Sequence, residues 1–94
     1  SYKPTINNKI MTRNEIVEQV NGLLADEFEV DSALFTPEAN VRETLQLDSL
    51  SLVDLVALIQ QTYKIKIPVA ELRGIQTFTD LYDYIESHLA ADGN

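Results

Sequence analysis

At 94 residues, with fifteen acids against seven bases and a formal net charge of −8, the chain is one domain whose surface repels nucleic-acid phosphates and anionic lipid headgroups. It holds no cysteine, which excludes disulfides, thiolate metal sites and any nucleophilic protein thiol. No run approaches the roughly 18 apolar residues of a membrane span, and no charged start leads into an apolar stretch with a cleavage site, so a cytoplasmic protein is expected.

Residues 1–11 are polar and without period; a mobile extension is expected there, with Met11 as a candidate original start. Thr12 and Glu15 then stand three apart before an apolar run, the spacing of a capping box. Ile16, Val17, Val20, Leu23 and Leu24 make one stripe of a first helix that reaches about Glu27 and is closed by Phe28. Gly22 inside that helix costs up to about 1 kcal/mol relative to alanine, a cost that a close helix contact would explain. Residues 29–46 are a long connection, and connections of that length carry function or short structure of their own. Leu34, Phe35, Val41 and Leu45 are placed to pin it to the bundle, and Thr36-Pro37-Glu38 to start a single helical turn.

Leu47-Asp48-Ser49-Leu50 opens the second principal helix, which runs to about Tyr63. Leu52, Leu55, Val56, Ile59 and Tyr63 recur at helical spacing and face a core. Leu50, Val53, Asp54 and Ala57 fall on the open side. Ser49 lies in the first turn or at the cap, where backbone N–H groups lack partners and negative charge, a phosphate included, is favoured. A plain N-cap serine or aspartate gives the same pattern. Ile65, Ile67 and Pro68 stop this helix. Val69 to Gly74 reads as a short helix closed by Gly74. Thr77, with Asp80 three residues on, opens the last helix, whose apolar face is Phe78, Leu81, Tyr82, Ile85 and Leu89. Residues 92–94 should fray. No segment alternates convincingly with period two, so the expected fold is all-α: three principal helices, one short helix and a long loop between the first two.

The chain resembles the acyl carrier proteins from about Glu15 to Leu89. The resemblance rests on Leu47-Asp48-Ser49-Leu50, Asp54-Leu55-Val56, Ile67-Pro68, Thr77-Phe78-Thr79-Asp80-Leu81 and Tyr84-Ile85, in this order and spacing. It implies a four-helix bundle of acyl-carrier type over residues 12–91. It also implies that Ser49 receives 4′-phosphopantetheine from coenzyme A, with Asp48 engaging the transferase and its metal. In this family Leu50, Val53, Asp54 and Ala57 would be read by partner enzymes: a phosphopantetheinyl transferase, then acyl-transferring, condensing or acyl-activating enzymes with basic docking patches. The arm's thiol would hold acyl groups as thioesters for lipid or related biosynthesis, and the protein itself, expected as a monomer, would catalyse nothing. Leu52, Val56, Ile59, Ile67, Ile75 and Tyr84 are candidates to shelter an acyl chain; ordinary core packing accounts for any one of them singly. Ser51, Gln60 and Gln61 stand where fatty-acid carriers often have acids, which favours a specialised pathway.

The alternatives are a peptidyl or aminoacyl carrier, which shares the serine and the bundle, and an acidic helical adaptor without a prosthetic group. An enzyme is disfavoured, because no acid, base or nucleophile is paired with another. His88, the one histidine, reads as a surface residue beside a helix C-terminus. Tyr63, Tyr82 and Tyr84 read as packing residues with exposed hydroxyls. No metal ligand set is present.

Overall fold

The computed structural model describes residues 12–92; the expectations for residues 1–11 and 93–94 lie outside them. Five helices follow in order: α1 Arg13–Phe28, α2 Val41–Leu45, α3 Ser49–Tyr63, α4 Val69–Leu72 and α5 Phe78–Asp92. A 3₁₀ turn at Ser32–Leu34 precedes α2. The all-α expectation holds. Among the described residues extended pairing is limited to a single antiparallel bridge between Asn40 and Thr77.

The capping box at the start of α1 is complete: Glu15 N–H donates to Thr12 Oγ1 at 3.1 Å, and Thr12 N–H donates to Glu15 Oε1 at 2.9 Å. Ile16, Val20 and Leu24 fall on the buried face, while Val17 and Leu23 lie at its edge. α1 is tied to α5 by Arg13, whose guanidinium meets Asp83 at 2.7 Å and Glu86 at 2.8 Å and lies 5.6 Å from the centre of the Tyr82 ring. The Tyr82 hydroxyl donates to Asn21 Oδ1 on α1.

The connection from α1 to α3 carries more structure than one helical turn, and in other places than expected. Asp31 caps the 3₁₀ turn by accepting from Ala33 N–H at 2.9 Å. Phe35 is buried and stacks on Phe78 with ring centres 4.9 Å apart. Leu34, expected to pin the loop, is 57% exposed, because this tight turn sends only Phe35 inward. Residues 36–39 form a turn, not a helix start. The carbonyls of Pro37 and Ala39 accept from Thr79 and Phe78 N–H at 3.1 and 3.2 Å, an engagement a helical turn there would compete for. The helical turn comes later, where Asn40 caps α2 by accepting from Glu43 N–H at 2.9 Å. Val41 and Leu45 are buried as expected.

α4 closes at Gly74 without a left-handed residue. Gly74 and Ile75 N–H instead close tight turns onto Glu71 and Leu72 carbonyls, both at 3.0 Å. The left-handed caps stand at Glu29, Gln46 and Lys64. Gly22 makes no close helix contact either, since a Cβ built there meets nothing within 4 Å. Of the tyrosine hydroxyls, that of Tyr63 is buried without a partner, which pushes its pKa up to about 12. Tyr84 donates to Lys66 O at 2.9 Å. The hydroxyls are thus engaged or enclosed rather than free in solvent.

Gly22→Ala should stabilise the protein by roughly 0.5–1 kcal/mol, since the site is an open helix interior. A thermal melt checks it: a rise is expected, and a fall would mean that the glycine is needed for a contact. The caps set the acid limit of the fold. Asp48 and Asp80 lie below the ordinary carboxylate range, Asp48 mainly through the Ser51 backbone N–H and Asp80 mainly through that of Thr77, with Gln76 second. A carboxylate with a depressed folded pKa stabilises above its unfolded value of about 3.9 and loses that contribution as pH falls through the folded value. Helicity followed against pH should therefore hold down to about pH 4 and fall below it. Asp80→Asn should be less stable than wild type near neutrality and lose part of that acid dependence.

Candidate functional site

α3 begins where two local signals coincide. Gln46, left-handed, ends α2 and lets Leu47 N–H return to Arg42 O at 2.8 Å, turning the chain sharply. Asp48 follows in extended conformation as the N-cap; its Oδ1 accepts from Ser51 N–H at 2.8 Å and its carbonyl from Leu52 N–H at 2.9 Å. Ser49 is thus the first helical residue and the cap is the aspartate, which decides between the two positions open from the sequence.

Ser49 is exposed, as are Asp48 and Leu50. Its hydroxyl is free of capping duty, since Asp48 fills that role. The first amides of α3 have no intrahelical acceptor, and the positive end of the helix dipole lies at the same place. A serine ester of a phosphate fits here: the oxygen is accessible, the helix end favours the added charge, and nothing bulky packs over the residue.

α3 divides lengthwise. Leu50 is 78% exposed and Val53 63%, with Asp54 and Ala57 also exposed, so the four residues expected on the open side are found there together. Leu55, Ile59 and Tyr63 are buried, and Leu52 and Val56 are half-buried. Asp54 is the only ionisable group on the exposed side of α3.

On the inner side, Leu52, Val56, Ile59, Ile67 and Ile75 line one apolar cleft, joined by Val41, Leu55, Leu72 and Leu81. It encloses only about 10 Å³, roughly the space of one water, and is closed in this state. Tyr84, expected in this lining, is absent from it. It lies on the outer side of α5, stacked on His88 with ring centres 4.0 Å apart and hydrogen-bonded to the chain between α3 and α4. His88 is half-buried rather than free on the surface, and its Nδ1 donates to Tyr84 O at 2.9 Å. Arg42 also lines the cleft and went unnoticed in the sequence, because it sits in the loop and outside any periodic stripe. Gln60, singled out in the sequence only as a departure from the usual acids, has a structural role: its Oε1 accepts from Ile67 N–H at 2.9 Å and fixes the chain leaving α3. No group of metal ligands occurs among the described residues.

Comparison with known proteins agrees with this geometry. Residues 18–85 match the family described as "Phosphopantetheine attachment site". An acyl carrier protein of Rubrobacter xylanophilus is 37% identical over 81 residues, covering 86% of this chain and all of the relative. Acyl carrier protein 2 of Ralstonia nicotianae is 36% identical with the same coverage of both chains. Among solved structures, the acyl carrier protein of Enterococcus faecalis, studied for its high thermal stability, superposes with a TM-score of 0.69. It is 26% identical, and the match covers 82% of this chain and 98% of that one. The expected fold, the phosphopantetheine cofactor and the carrier role all agree with these matches, and the chain belongs to the acyl carrier protein family.

Proposed function

We propose that Ser49 is the residue that carries the 4′-phosphopantetheine arm, and that residues 12–91 form the carrier domain. The observation that supports this most is an exposed serine at the first helical position of α3, with its hydroxyl released from capping by Asp48. The arm, once attached, supplies the thiol that this cysteine-free chain lacks, and so a thioester link to acyl groups. Tethering makes delivery between enzymes effectively intramolecular, at effective concentrations of order millimolar for a short flexible linker.

The chain's own residues divide the work. Asp48 orients α3 through one carboxylate oxygen and turns the other toward a transferase and its metal. Leu50, Val53, Asp54 and Ala57 form the face that the phosphopantetheinyl transferase and acyl-handling enzymes read. On that face Leu50 and Val53 supply apolar contact, and Asp54 meets a basic patch. The cleft lined by Leu52, Val56, Ile59, Ile67 and Ile75 opens to shelter an acyl chain, exchanging side-chain contacts within an apolar lining. We assign the protein to the cytoplasm as a monomer serving biosynthetic enzymes. The sparse acids on α3 favour a specialised pathway over the general fatty-acid cycle.

Intact mass after incubation with coenzyme A, Mg²⁺ and a broad-range transferase tests the assignment. One phosphopantetheine should add to wild type and none to Ser49→Ala; addition to the alanine variant, at Ser51 for example, would refute it. Ser49→Ala should melt within about 0.5 kcal/mol of wild type, because the residue is exposed and is not the cap. In the same time course Asp54→Arg should load more slowly than wild type at low ionic strength, with the difference shrinking as salt rises. Equal rates at low salt would remove Asp54 from the docking face.

A further inference from the structure

The cleft beside α3 is apolar along its whole lining except at Arg42. Arg42 is exposed, and the ion pairs among the described residues all belong to Arg13. Among the described residues no acid holds the Arg42 guanidinium. Its backbone is fixed on both sides: Val41 N–H donates to Gln76 O at 2.8 Å, and Arg42 O accepts from Leu47 N–H at 2.8 Å. The second bond sets its place relative to Ser49. Residue 47 is hydrogen-bonded to residue 42, and two residues of chain span at most about 7 Å. Arg42 thus stands at the Ser49 end of the cleft, where Leu52, the first cleft residue of α3, also lies.

An arginine so placed has a clear division of labour. Its methylene stem covers apolar lining while the planar head stays in water. That head presents a fork of donors suited to a phosphate, and its charge is permanent. The rest of the molecule is strongly acidic; the other bases of the α3–α4 region are Lys64 and Lys66, past the far end of α3, and Arg73, at the end of α4.

We propose that Arg42 is a positioning residue for the arm: its guanidinium pairs with the phosphodiester on Ser49 and holds the arm on the cleft side of α3, away from the outer face of Leu50 and Val53. This rests on the assignment of Ser49 above. The side chain covering the closed cleft is then the one drawn outward when the arm is attached, so that loading uncovers the entrance by moving a side chain and no backbone.

The test uses the arm-bearing protein as wild type, Arg42→Gln and Arg42→Lys, each checked by intact mass and by melting. The phosphorus-31 resonance of the arm is compared at low and high salt. Each protein is then loaded with an octanoyl group, and its release by hydroxylamine is timed. The resonance should move in Arg42→Gln, and high salt should bring wild type toward that position, with Arg42→Lys between the two. Octanoyl release should be roughly two- to fivefold faster in Arg42→Gln than in wild type, the range an exposed ion pair supplies. Coincident resonances and equal release rates, with the arm on Ser49 by mass, would overturn the role of Arg42 and leave the Ser49 assignment standing. An arm found elsewhere would overturn both.

Discussion

The structure depends on a small clasp between the long connection and the start of α5. Val41 N–H donates to Gln76 O, Phe78 N–H to Ala39 O, and Thr79 gives both its N–H and its hydroxyl to Pro37 O. Phe35 and Phe78 stack beside these bonds. A connection from Glu29 to Asp48 would otherwise be too long to hold one course, and its backbone groups would need water. The clasp satisfies those groups and buries Phe35, Val41 and Leu45. It also fixes where α2 ends, and therefore where α3 can begin. The position of Ser49 is a consequence of bonds made some thirty residues away along the chain.

With α3 so placed, one helix serves two purposes. Its inner residues complete a core that, among the described residues, contains no buried polar or charged residue; the polar atoms it brings in are tyrosine hydroxyls, that of Tyr63 without a partner. Its outer residues leave Leu50 and Val53 in solvent beside the serine, an arrangement that folding alone does not explain. Large apolar side chains left exposed together are suited to a partner's contact. The aspartate cap matters in the same way: by making the capping bond itself, Asp48 leaves the serine oxygen available.

Much of this was legible in the sequence because it is written in local patterns. The capping box of Thr12 and Glu15, the stripe of α3 and the Thr77–Asp80 start of α5 each depend on residues three or four apart, and each forms as read. The misreadings share another origin. Leu34 and Phe35 are equivalent as apolar loop residues until Phe78 selects one of them. Pro37 signals a helix start unless its carbonyl is needed by Thr79. Tyr84, a candidate for the cleft lining through the resemblance, is held instead on the outer side of α5 by Lys66 O and His88. Gly22 carried an expectation of close helix approach, and no such contact arises. For the loop residues the deciding partners, Phe78 and Thr79, lie far along the chain, where spacing carries no information.

Hydrogen exchange of individual amides tests the clasp most directly, because it reads the opening of each bond separately. The amides of Val41, Phe78 and Thr79 should exchange as slowly as core helix amides such as that of Ile59, while Ser49 and Leu50 exchange close to the unprotected rate. Fast exchange at Val41, Phe78 and Thr79 beside slow exchange at Ser49 and Leu50 would contradict the account, since the connection would then be held by something other than the clasp and the start of α3 would not be open.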